Sequence, residues 1–296
     1  MRWRLFLLSP LLNYLRVFSC DRTIRSITND ILSWQQEHSN RQVDRPYVTV
    51  TYAQSLDGKI ALILADKEGN DDDSILSSSA PTSSNFALSD PASFKMTHAL
   101  RSIHDGILVG GKTLSVDNPR LSNRLWGTAS RKMSRASGQP RPIVLDTHLK
   151  HIKALGKNCR ATNVIVCCSQ EVAATVDAQD LPDSIEILRC PINLETGRID
   201  ILEMLKQLKQ KYNIQSLMVE GGASVLTSFY SQPQLVDCIC ITVAPKLLLW
   251  RGLSALNTDN NCRGSKSKCI LDHDAFDSSR FSLLGKDAIL LAKLRN

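Results

Sequence analysis

Residues 216–230 read SLMVEGGASVLTSFY and contain the pattern that decides the fold. Residues 216–219 form a largely apolar run of strand length, and residues 223–230 have the apolar spacing of a helix. Between them, Glu220 precedes two glycines, which allow a backbone to approach a ligand closely. A helix that begins directly after such a turn offers free N–H groups to a phosphate. Taken alone, however, the Gly221-Gly222 pair is typical of any tight strand-to-helix turn.

Three further segments combine apolar runs with Gly, Asp, Ser or basic residues. They are residues 47–59 (YVTVTYAQSLDGK), 97–101 (THALR) and 106–120 (GILVGGKTLSVDNPR). Because an α/β sheet presents its ligand-binding turns at the carboxyl ends of its strands, we expect these segments to share one site there. Residues 110–113 (GGKT) look like half of a phosphate loop, but neither the P-loop spacing nor the G-x-G-x-x-G spacing is present. A conventional Rossmann or P-loop assignment therefore fails.

The remaining pattern predicts strands and helices in the alternation of an α/β domain. A core strand is predicted over residues 47–53, directly after Arg45-Pro46. Ser89-Asp90-Pro91 predicts the start of a helix that runs to about residue 103. Further strands are predicted over residues 106–110, 143–145, 164–168, 185–188, 216–219 and 236–243, with a closing hairpin over 281–284 and 288–294.

One helix has a well-defined beginning and an apolar face. Asp200 and Glu203 form a capping-box pattern at its N-terminus. Apolar residues at helical spacing predict the face that it buries, namely Ile201, Leu202, Leu205, Leu208 and Tyr212.

The domain organisation predicted is a leader over residues 1–45, with a short helix over residues 24–34, followed by one large α/β domain over residues 46–296. Residues 66–84 contain acidic and serine runs, a proline and no apolar period. This composition predicts a surface insertion or a disordered loop.

The net charge of +7 raises the question of nucleic-acid binding. Between Arg124 and Arg160 the chain has nine Lys or Arg residues and only Asp146 as an acid. These charges are not interleaved with the ladder of aromatic residues that stacking on single-stranded bases requires. We therefore expect a solvated basic face, with attraction of small anions as the second possibility and nucleic acid last.

The nine cysteines are scattered, and no C-x-x-C spacing occurs. Cys167 and Cys168 fall within a predicted buried strand, so these side chains are expected to be reduced core thiols rather than a disulfide framework or a zinc site. We predict no bound metal.

The first twenty residues raise a question of localisation. An apolar run from Leu5 to Leu15 follows Met1-Arg-Trp-Arg4, and no acid precedes Asp21. A transit peptide, a weak signal-like segment and an amphipathic helix packed on the domain all fit this pattern. The run is too short to span a bilayer. We expect a soluble cytoplasmic protein without membrane or nucleic-acid partners, and mitochondrial targeting stays open.

The ordered set of motifs resembles the riboflavin-biosynthesis reductase family. The similarity is to the fungal and archaeal 2,5-diamino-6-ribosylamino-4(3H)-pyrimidinone 5′-phosphate reductases and to the carboxy-terminal half of bacterial bifunctional deaminase-reductases. It covers about residues 45–294, and it also rests on residues 140–146 (PRPIVLD) and on Val236-Asp237 with residues 244–248 (APKLL). The resemblance implies a dihydrofolate-reductase-like three-layer α/β fold with a central mixed sheet, NADPH as cofactor, and a homodimer.

The reaction that the resemblance implies opens the ribosylamino sugar of a phosphorylated pyrimidine and reduces its C1′ to give a ribitylamino chain. Carried over by motif, the substrate side comprises Arg101, Leu121, Arg124 and Glu220. Glu220 and Asp57 are the candidate catalytic residues, with Asp57 near the ring-opening chemistry. The cofactor side comprises Ala53, Thr113, Asp117, Gly221, Gly222, Ala223, Ser224 and Val225. A second interpretation of Arg101 is that it only pairs with an acid on the surface of its helix.

Some features depart from the family pattern. Asn85 and Ala87 stand where relatives have a small polar residue and an aromatic one, and Leu249-Trp250 stands where glycines are usual. A zinc deaminase half is not expected, because its Cys and His pattern is missing from this sequence. The alternatives that stay open are a pterin or folate reductase on the same fold and a catalytically inactive nucleotide-binding relative.

Overall fold

A large mixed sheet forms the centre of the protein. The structure is a computed structural model and describes residues 8–63, 82–83, 86–125, 139–155, 159–174, 185–256 and 272–295. The strands are β1 (Tyr47–Ser55), β2 (Lys59–Ile63), β3 (Thr82–Ser83), β4 (Gly106–Gly110), β5 (Arg141–Leu145), β6 (Val164–Ser169), β7 (Ile185–Cys190), β8 (Ile192–Asn193), β9 (Arg198–Ile199), β10 (Ser216–Gly221), β11 (Cys238–Ala244), β12 (Gly252–Ser254), β13 (Phe276–Leu284) and β14 (Asp287–Leu294).

The helices are α1 (Leu8–Asn40), α2 (Pro91–Ser102), α3 (Gly111–Asp117), α4 (Lys150–Leu155), α5 (Gln170–Ala173), α6 (Ile201–Tyr212) and α7 (Ala223–Tyr230). Strands of the main sheet follow the order β13-β14-β11-β1-β10-β4-β5-β6-β7. The seven strands from β11 to β7 are parallel, whereas β14 runs antiparallel to both β11 and β13. A small separate sheet has the order β12-β2-β3.

Helices cover both faces of this sheet, because the side chains of each strand alternate between the faces. In β10, Leu217 and Val219 pack with α6 and α7, while Met218 between them packs with α1 and α2. In β4, Leu108 joins the first of these clusters, and its neighbours Ile107 and Val109 join a third cluster with α3 and α4. The predicted α/β arrangement of three layers around a mixed sheet is confirmed.

Most of the predicted elements are present. Helix α7 has the predicted bounds, and the strands predicted from β4 to β10 differ from the structure only by one or two terminal residues. Asp90 accepts the N–H of Ala92 at 2.9 Å and so caps α2 as expected. The closing hairpin is also confirmed, although β13 begins five residues earlier than predicted.

Two predictions about helices were wrong in detail. The buried face of α6 uses Met204 in place of Leu202, which is 39% exposed, because the face that meets the sheet is rotated from the predicted one. The helix predicted over residues 24–34 is part of the much longer α1. Ile24, Ile27 and Ile31 of α1 are fully buried in the core with α2, so this part of the predicted leader packs against the sheet.

The division of the chain at residue 45 stays a prediction. Most of the predicted insertion at residues 66–84 lies outside the described residues, but Thr82–Ser83 within it forms β3 and pairs with β2. Cys167 and Cys168 are buried with free thiols, as expected. Among the helices that the structure describes, none has the length and apolar character needed to cross a membrane.

A buried ion pair fixes the amino ends of β1 and β11. Arg45 donates to both carboxylate oxygens of Asp237, at 2.6 and 3.0 Å, and Asp237 also accepts the N–H of Val48 at 2.8 Å. Both charged side chains are only 8% exposed. This network lies at the end of the sheet opposite to the turns that the sequence marks as functional.

Candidate active site

Three of the motifs meet at one edge of the sheet. The strands β1, β10 and β4 are neighbours and run parallel, so their carboxyl ends at Ser55, Gly221 and Gly110 lie on the same side. This is the position at which open α/β sheets bind their ligands. These three motifs therefore lie at one edge as expected, and their use as a ligand site stays a prediction.

The turn after β10 is built closely against α3. The N–H of Gly222 donates to the hydroxyl of Thr113 at 3.1 Å. A Cβ atom on Gly222 would lie 2.9 Å from that hydroxyl oxygen, so a larger residue would push the two segments apart. Gly221 has a φ of +94°, a backbone conformation that side-chain-bearing residues rarely adopt, and the Gly221-Gly222 peptide is cis. The structure thus brings Thr113 into contact with the glycine turn.

Backbone N–H groups are available where α7 begins. The first hydrogen bonds of the helix run from Val225 and Leu226 to the carbonyl of Gly222, each at 3.0 Å. Ala223 and Ser224 precede these bonds, and Ser224 is exposed. A glycine turn followed by unpaired helical N–H groups matches the needs of a phosphate-bearing cofactor. The side chain of Val225 is buried in the core and its N–H is bonded to Gly222, so a cofactor contact of Val225 stays a prediction.

Glu220 is held by an arginine from α2. Arg101 donates from Nε to Oε1 and from Nη2 to Oε2 of Glu220, each at 2.7 Å. The side chains are 11% and 16% exposed, so the pair is largely withdrawn from solvent. Burial lowers the pKa of Arg101, but the neighbouring Glu220 carboxylate more than compensates, and the net shift is upward. The acid that Arg101 pairs with therefore belongs to β10 and not to its own helix.

The segment after α3 lies against the same arginine. Arg101 donates from Nη1 to the carbonyl of Ser122 at 3.2 Å. Leu121 is buried with a φ of +49°, and its side chain packs in the core beside α3. Arg124 is exposed, and its backbone N–H donates to Nδ1 of His98 at 3.1 Å. Two of the predicted substrate residues thus sit on a segment that α2 holds.

Asp57 is engaged in a turn. Its carboxylate accepts the hydroxyl of Ser55 at 2.6 Å and the N–H groups of Leu248 and Leu249 at 3.1 and 2.8 Å. The Ser55 hydroxyl has the largest effect on the Asp57 carboxyl, burial opposes it, and the backbone donors add to the lowering, so that the pKa of Asp57 falls to about 2. Asp57 therefore ties the end of β1 to the segment that carries Leu249-Trp250. A role in ring opening stays a prediction.

Two predicted cofactor residues lie at the margin of this arrangement. Ala53, near the end of β1, packs beside Ala244 and Leu248. Asp117 ends α3 and is exposed, with Asn118 after it in the left-handed conformation. Their roles stay predictions. No group of three or more metal-ligating side chains was found in the part of the chain that the structure describes.

Sequence reasoning missed His98 and Ser122. His98 lies inside the quoted segment 97–101, so the motif itself was the signal, but nothing in it indicated which atom the ring would contact. Ser122 acts through its carbonyl, and a backbone contact leaves no trace in residue type. The Arg101–Glu220 pair was also not predictable, because 119 residues separate its members.

The chain is similar to a set of known proteins. Residues 46–248 match the family model described as the RibD C-terminal domain. The chain is 33% identical over 214 residues to the 2,5-diamino-6-ribosylamino-4(3H)-pyrimidinone 5′-phosphate reductase of Saccharomyces cerevisiae, covering 69% of this chain and 73% of that protein. It is 27% identical over 235 residues to the reductase of the same name from Schizosaccharomyces pombe, covering 74% and 81%.

Solved structures support the same fold. The structure of the riboflavin biosynthesis reductase Rib7 of Saccharomyces cerevisiae aligns with a TM-score of 0.59 at 25% identity, covering 86% of this chain and 91% of that one. A pyrimidine reductase-like protein from Corynebacterium diphtheriae aligns with a TM-score of 0.57 at 16% identity, covering 85% and 92%. The dihydrofolate-reductase-like fold is confirmed by these alignments. Because the family model matches residues 46–248, which is more than half of the chain, the chain belongs to the RibD C-terminal domain family.

Proposed function

We propose that the protein reduces the ribosylamino side chain of 2,5-diamino-6-ribosylamino-4(3H)-pyrimidinone 5′-phosphate to a ribitylamino chain, with NADPH as the reductant. The names of the curated relatives supply the substrate, and the matched residues 46–248 include both Arg101 and Glu220. The reaction is part of riboflavin biosynthesis, as the name of the aligned Rib7 structure indicates for that protein.

The observation that carries the proposal is the position of Glu220 directly before the glycine turn. Glu220 is fixed by Arg101, and two residues later Gly222 bonds Thr113. A single strand end therefore joins a candidate substrate contact to a candidate cofactor contact. Such proximity is what hydride transfer between two bound molecules requires.

On the cofactor side, the glycine turn and the N–H groups of Ala223 and Ser224 would hold phosphate. Thr113 would support the turn, and Asp117, Ala53 and Val225 are further proposed contacts. NADPH, when bound, supplies the hydride that reduces C1′. The close fit of Gly222 against the Thr113 hydroxyl supports a requirement for glycine in this turn, because a side chain there would displace the turn.

On the substrate side, Glu220 retains accepting capacity. Each carboxylate oxygen has more than one lone pair, and Arg101 occupies one site on each. We propose that the remaining sites accept the amino groups of the pyrimidine. Arg101 itself keeps two unused N–H donors beyond its three bonds in the structure.

The substrate's phosphate is assigned to Arg124. This guanidinium is exposed, whereas that of Arg101 is already engaged by a carboxylate. Arginine suits a phosphate, because its planar fork can donate two parallel hydrogen bonds. Leu121 would contribute shape and backbone groups, since its side chain is buried in the core.

Opening the sugar ring requires a proton on the ring oxygen as the bond to C1′ breaks. Asp57, with a pKa of about 2, is ionised at neutral pH and is unsuited to supply that proton. In our proposal Asp57 acts as a fixed negative charge that keeps its turn in place, and the proton comes from solvent or from the substrate's own hydroxyl groups.

We further propose that the protein is a homodimer in the cytoplasm, without a nucleic-acid or membrane partner. The mitochondrion is the alternative compartment. Light scattering of the purified protein tests the oligomeric state, and fractionation of cells tests the compartment.

The function is tested with NADPH that carries deuterium at both C4 positions. Incubation with the pyrimidine substrate should give a ribitylamino product with a single deuterium at C1′, read by mass spectrometry and NMR. A product without deuterium, or turnover only with a dihydropterin, would refute the proposed reaction. NADPH binding without turnover of either compound would favour an inactive nucleotide-binding relative.

A further inference from the structure

We propose that His98 is a positioning residue, which accepts the N–H of Arg124 and thereby fixes the segment Ser122–Arg124 as the substrate-facing wall of the site. The inference deepens the proposed function and rests on it for the identity of the substrate. It concerns a residue to which the family match and the named relatives assign no role.

The three residues of this segment are each held through the backbone. Arg101 donates to the carbonyl of Ser122, and His98 accepts from the N–H of Arg124. Between them, the side chain of Gln139 bonds both the N–H and the carbonyl of Asn123, at 2.8 and 3.1 Å. His98 and Arg101 lie one helical turn apart on α2. This one helix therefore provides two of the three side chains that bond the backbone of the segment.

The contact defines the chemical state of the ring. A backbone N–H can only donate, so Nδ1 of His98 must be the acceptor and the proton of the neutral ring lies on Nε2. The pKa of His98 is lowered to about 4. Burial is the largest cause, and the positive charges of Arg101 and Arg124 lower the pKa further. The Glu220 carboxylate and the Ser122 backbone oppose this effect but do not cancel it. The ring is thus a neutral acceptor at physiological pH.

Packing alone does not account for a histidine here. His98 is fully buried and meets Phe94 edge to face, with ring centroids 5.0 Å apart. A phenylalanine would fill the same space and keep the aromatic contact without bringing polar atoms into the core. What the histidine adds is the acceptor for Arg124. Loss of that acceptor would leave the Arg124 N–H without its partner and free the end of the segment.

Loss of the His98 contact should affect substrate binding through Arg124 and Ser122. The exposed guanidinium that we assign to the phosphate extends from the backbone that His98 holds. The Ser122 carbonyl, two residues earlier, orients the arginine that fixes Glu220. His98 should therefore affect binding of the pyrimidine and leave the glycine turn, and hence the cofactor, undisturbed.

The test compares His98→Phe with His98→Asn. Phenylalanine keeps the ring but removes the acceptor, whereas the Oδ1 atom of asparagine can stand in for Nδ1. We expect His98→Phe to raise the KM for the pyrimidine about tenfold, the effect of about one hydrogen bond, with the Kd for NADPH unchanged. His98→Asn should bring the KM back to within about threefold of wild type.

Amide exchange provides a readout that does not depend on turnover. The N–H of Arg124 should exchange faster in His98→Phe than in wild type, and His98→Asn should restore its protection. If wild type shows no turnover but this exchange pattern holds, the proposed function fails and the positioning role stands. Equal KM values and equal exchange for the two variants, with only a lower melting temperature, would overturn the positioning role.

Discussion

Arg101 and Glu220 form a two-point ion pair in which each carboxylate oxygen accepts one N–H at 2.7 Å. The pair connects α2 to the end of β10, directly before the glycine turn. Since both side chains are mostly buried, neither charge is well solvated without the other. The geometry of the candidate site therefore depends on both residues.

Replacement of Arg101 should affect activity and stability together. Arg101→Ala leaves the Glu220 carboxylate without its partner, so we expect a loss of about 3 kcal/mol of stability. Because Glu220 is then no longer fixed, kcat/KM should fall at least about a hundredfold. Arg101→Lys keeps the charge but loses the planar pair of donors, so its stability and its kcat/KM should lie between those of wild type and Arg101→Ala. Urea unfolding and steady-state kinetics measure these effects, and wild-type values for Arg101→Ala would contradict the account.

A side chain at the glycine turn should weaken cofactor binding. In Gly222→Ala the new Cβ would lie 2.9 Å from the Thr113 hydroxyl oxygen and displace the turn. We expect the Kd for NADPH, measured by quenching of its fluorescence, to rise about tenfold or more. Gly197→Ala is the control: its φ of +64° makes alanine unfavourable for the backbone alone, since nothing lies within 4 Å of the added Cβ. An equal rise in both variants would argue against a role for the turn.

Asp57 should stabilise the fold in a way that depends on acid pH. Its folded pKa of about 2 lies below the ordinary 3.8, so its contribution is fully present above the unfolded pKa and is lost as the pH falls through about 2. The difference in unfolding free energy between wild type and Asp57→Asn should be constant above about pH 5 and shrink below about pH 4.

The same variant also tests the assignment of Asp57 in the mechanism. If Asp57 is only an ionised anchor, the acid limb of the pH-rate profile should keep its position in Asp57→Asn, whatever the change in kcat. Leu248 and Leu249 should show faster amide exchange, because their N–H groups lose an anionic acceptor. A shift of the acid limb would instead identify Asp57 as a titrating catalytic group.

The ion pair of Arg45 and Asp237 should be important for stability and not for chemistry. Asp237→Ala removes the counter-charge of the buried Arg45 guanidinium and the carboxylate that accepts the Val48 N–H, which should cost about 3–5 kcal/mol. Asp277→Ala is the control, since its partner Arg295 is 65% exposed and such surface pairs contribute about 1 kcal/mol or less. Urea denaturation measures the free energy of unfolding of the two variants. The Kd for NADPH of the folded protein should be unchanged in both. Similar losses of unfolding free energy in Asp237→Ala and Asp277→Ala would contradict the expectation that the buried pair contributes more.

The sequence predicted elements well where local signals were strong. Helix α7 and the cap at Asp200 follow from a glycine turn and from a carboxylate that accepts the N–H of Glu203 at 3.1 Å, both of which are local features. The alternation of Leu217, Met218 and Val219 between two cores was also readable, because strand side chains have a period of two.

Longer-range features were not readable in this way. The rotation of α6 that buries Met204 depends on the shape of the sheet surface, and helical periodicity alone leaves the choice between adjacent faces open. The role of Asp57 as an anchor depends on residues 191 and 192 positions later in the chain. Contacts through backbone atoms, as at Ser122, depend on tertiary structure and not on residue type.

The central claim is that Glu220 and the adjacent glycine turn form the reductase site, and anaerobic NADPH oxidation in the presence of freshly prepared pyrimidine substrate tests it most directly. The assay compares wild type with Glu220→Gln, which keeps the size of the side chain but removes its charge. The account predicts substrate-dependent oxidation by wild type and a loss of about a hundredfold or more in the variant, with the Kd for NADPH unchanged. Equal rates for the two proteins, or no oxidation by wild type despite saturable NADPH binding, would contradict it.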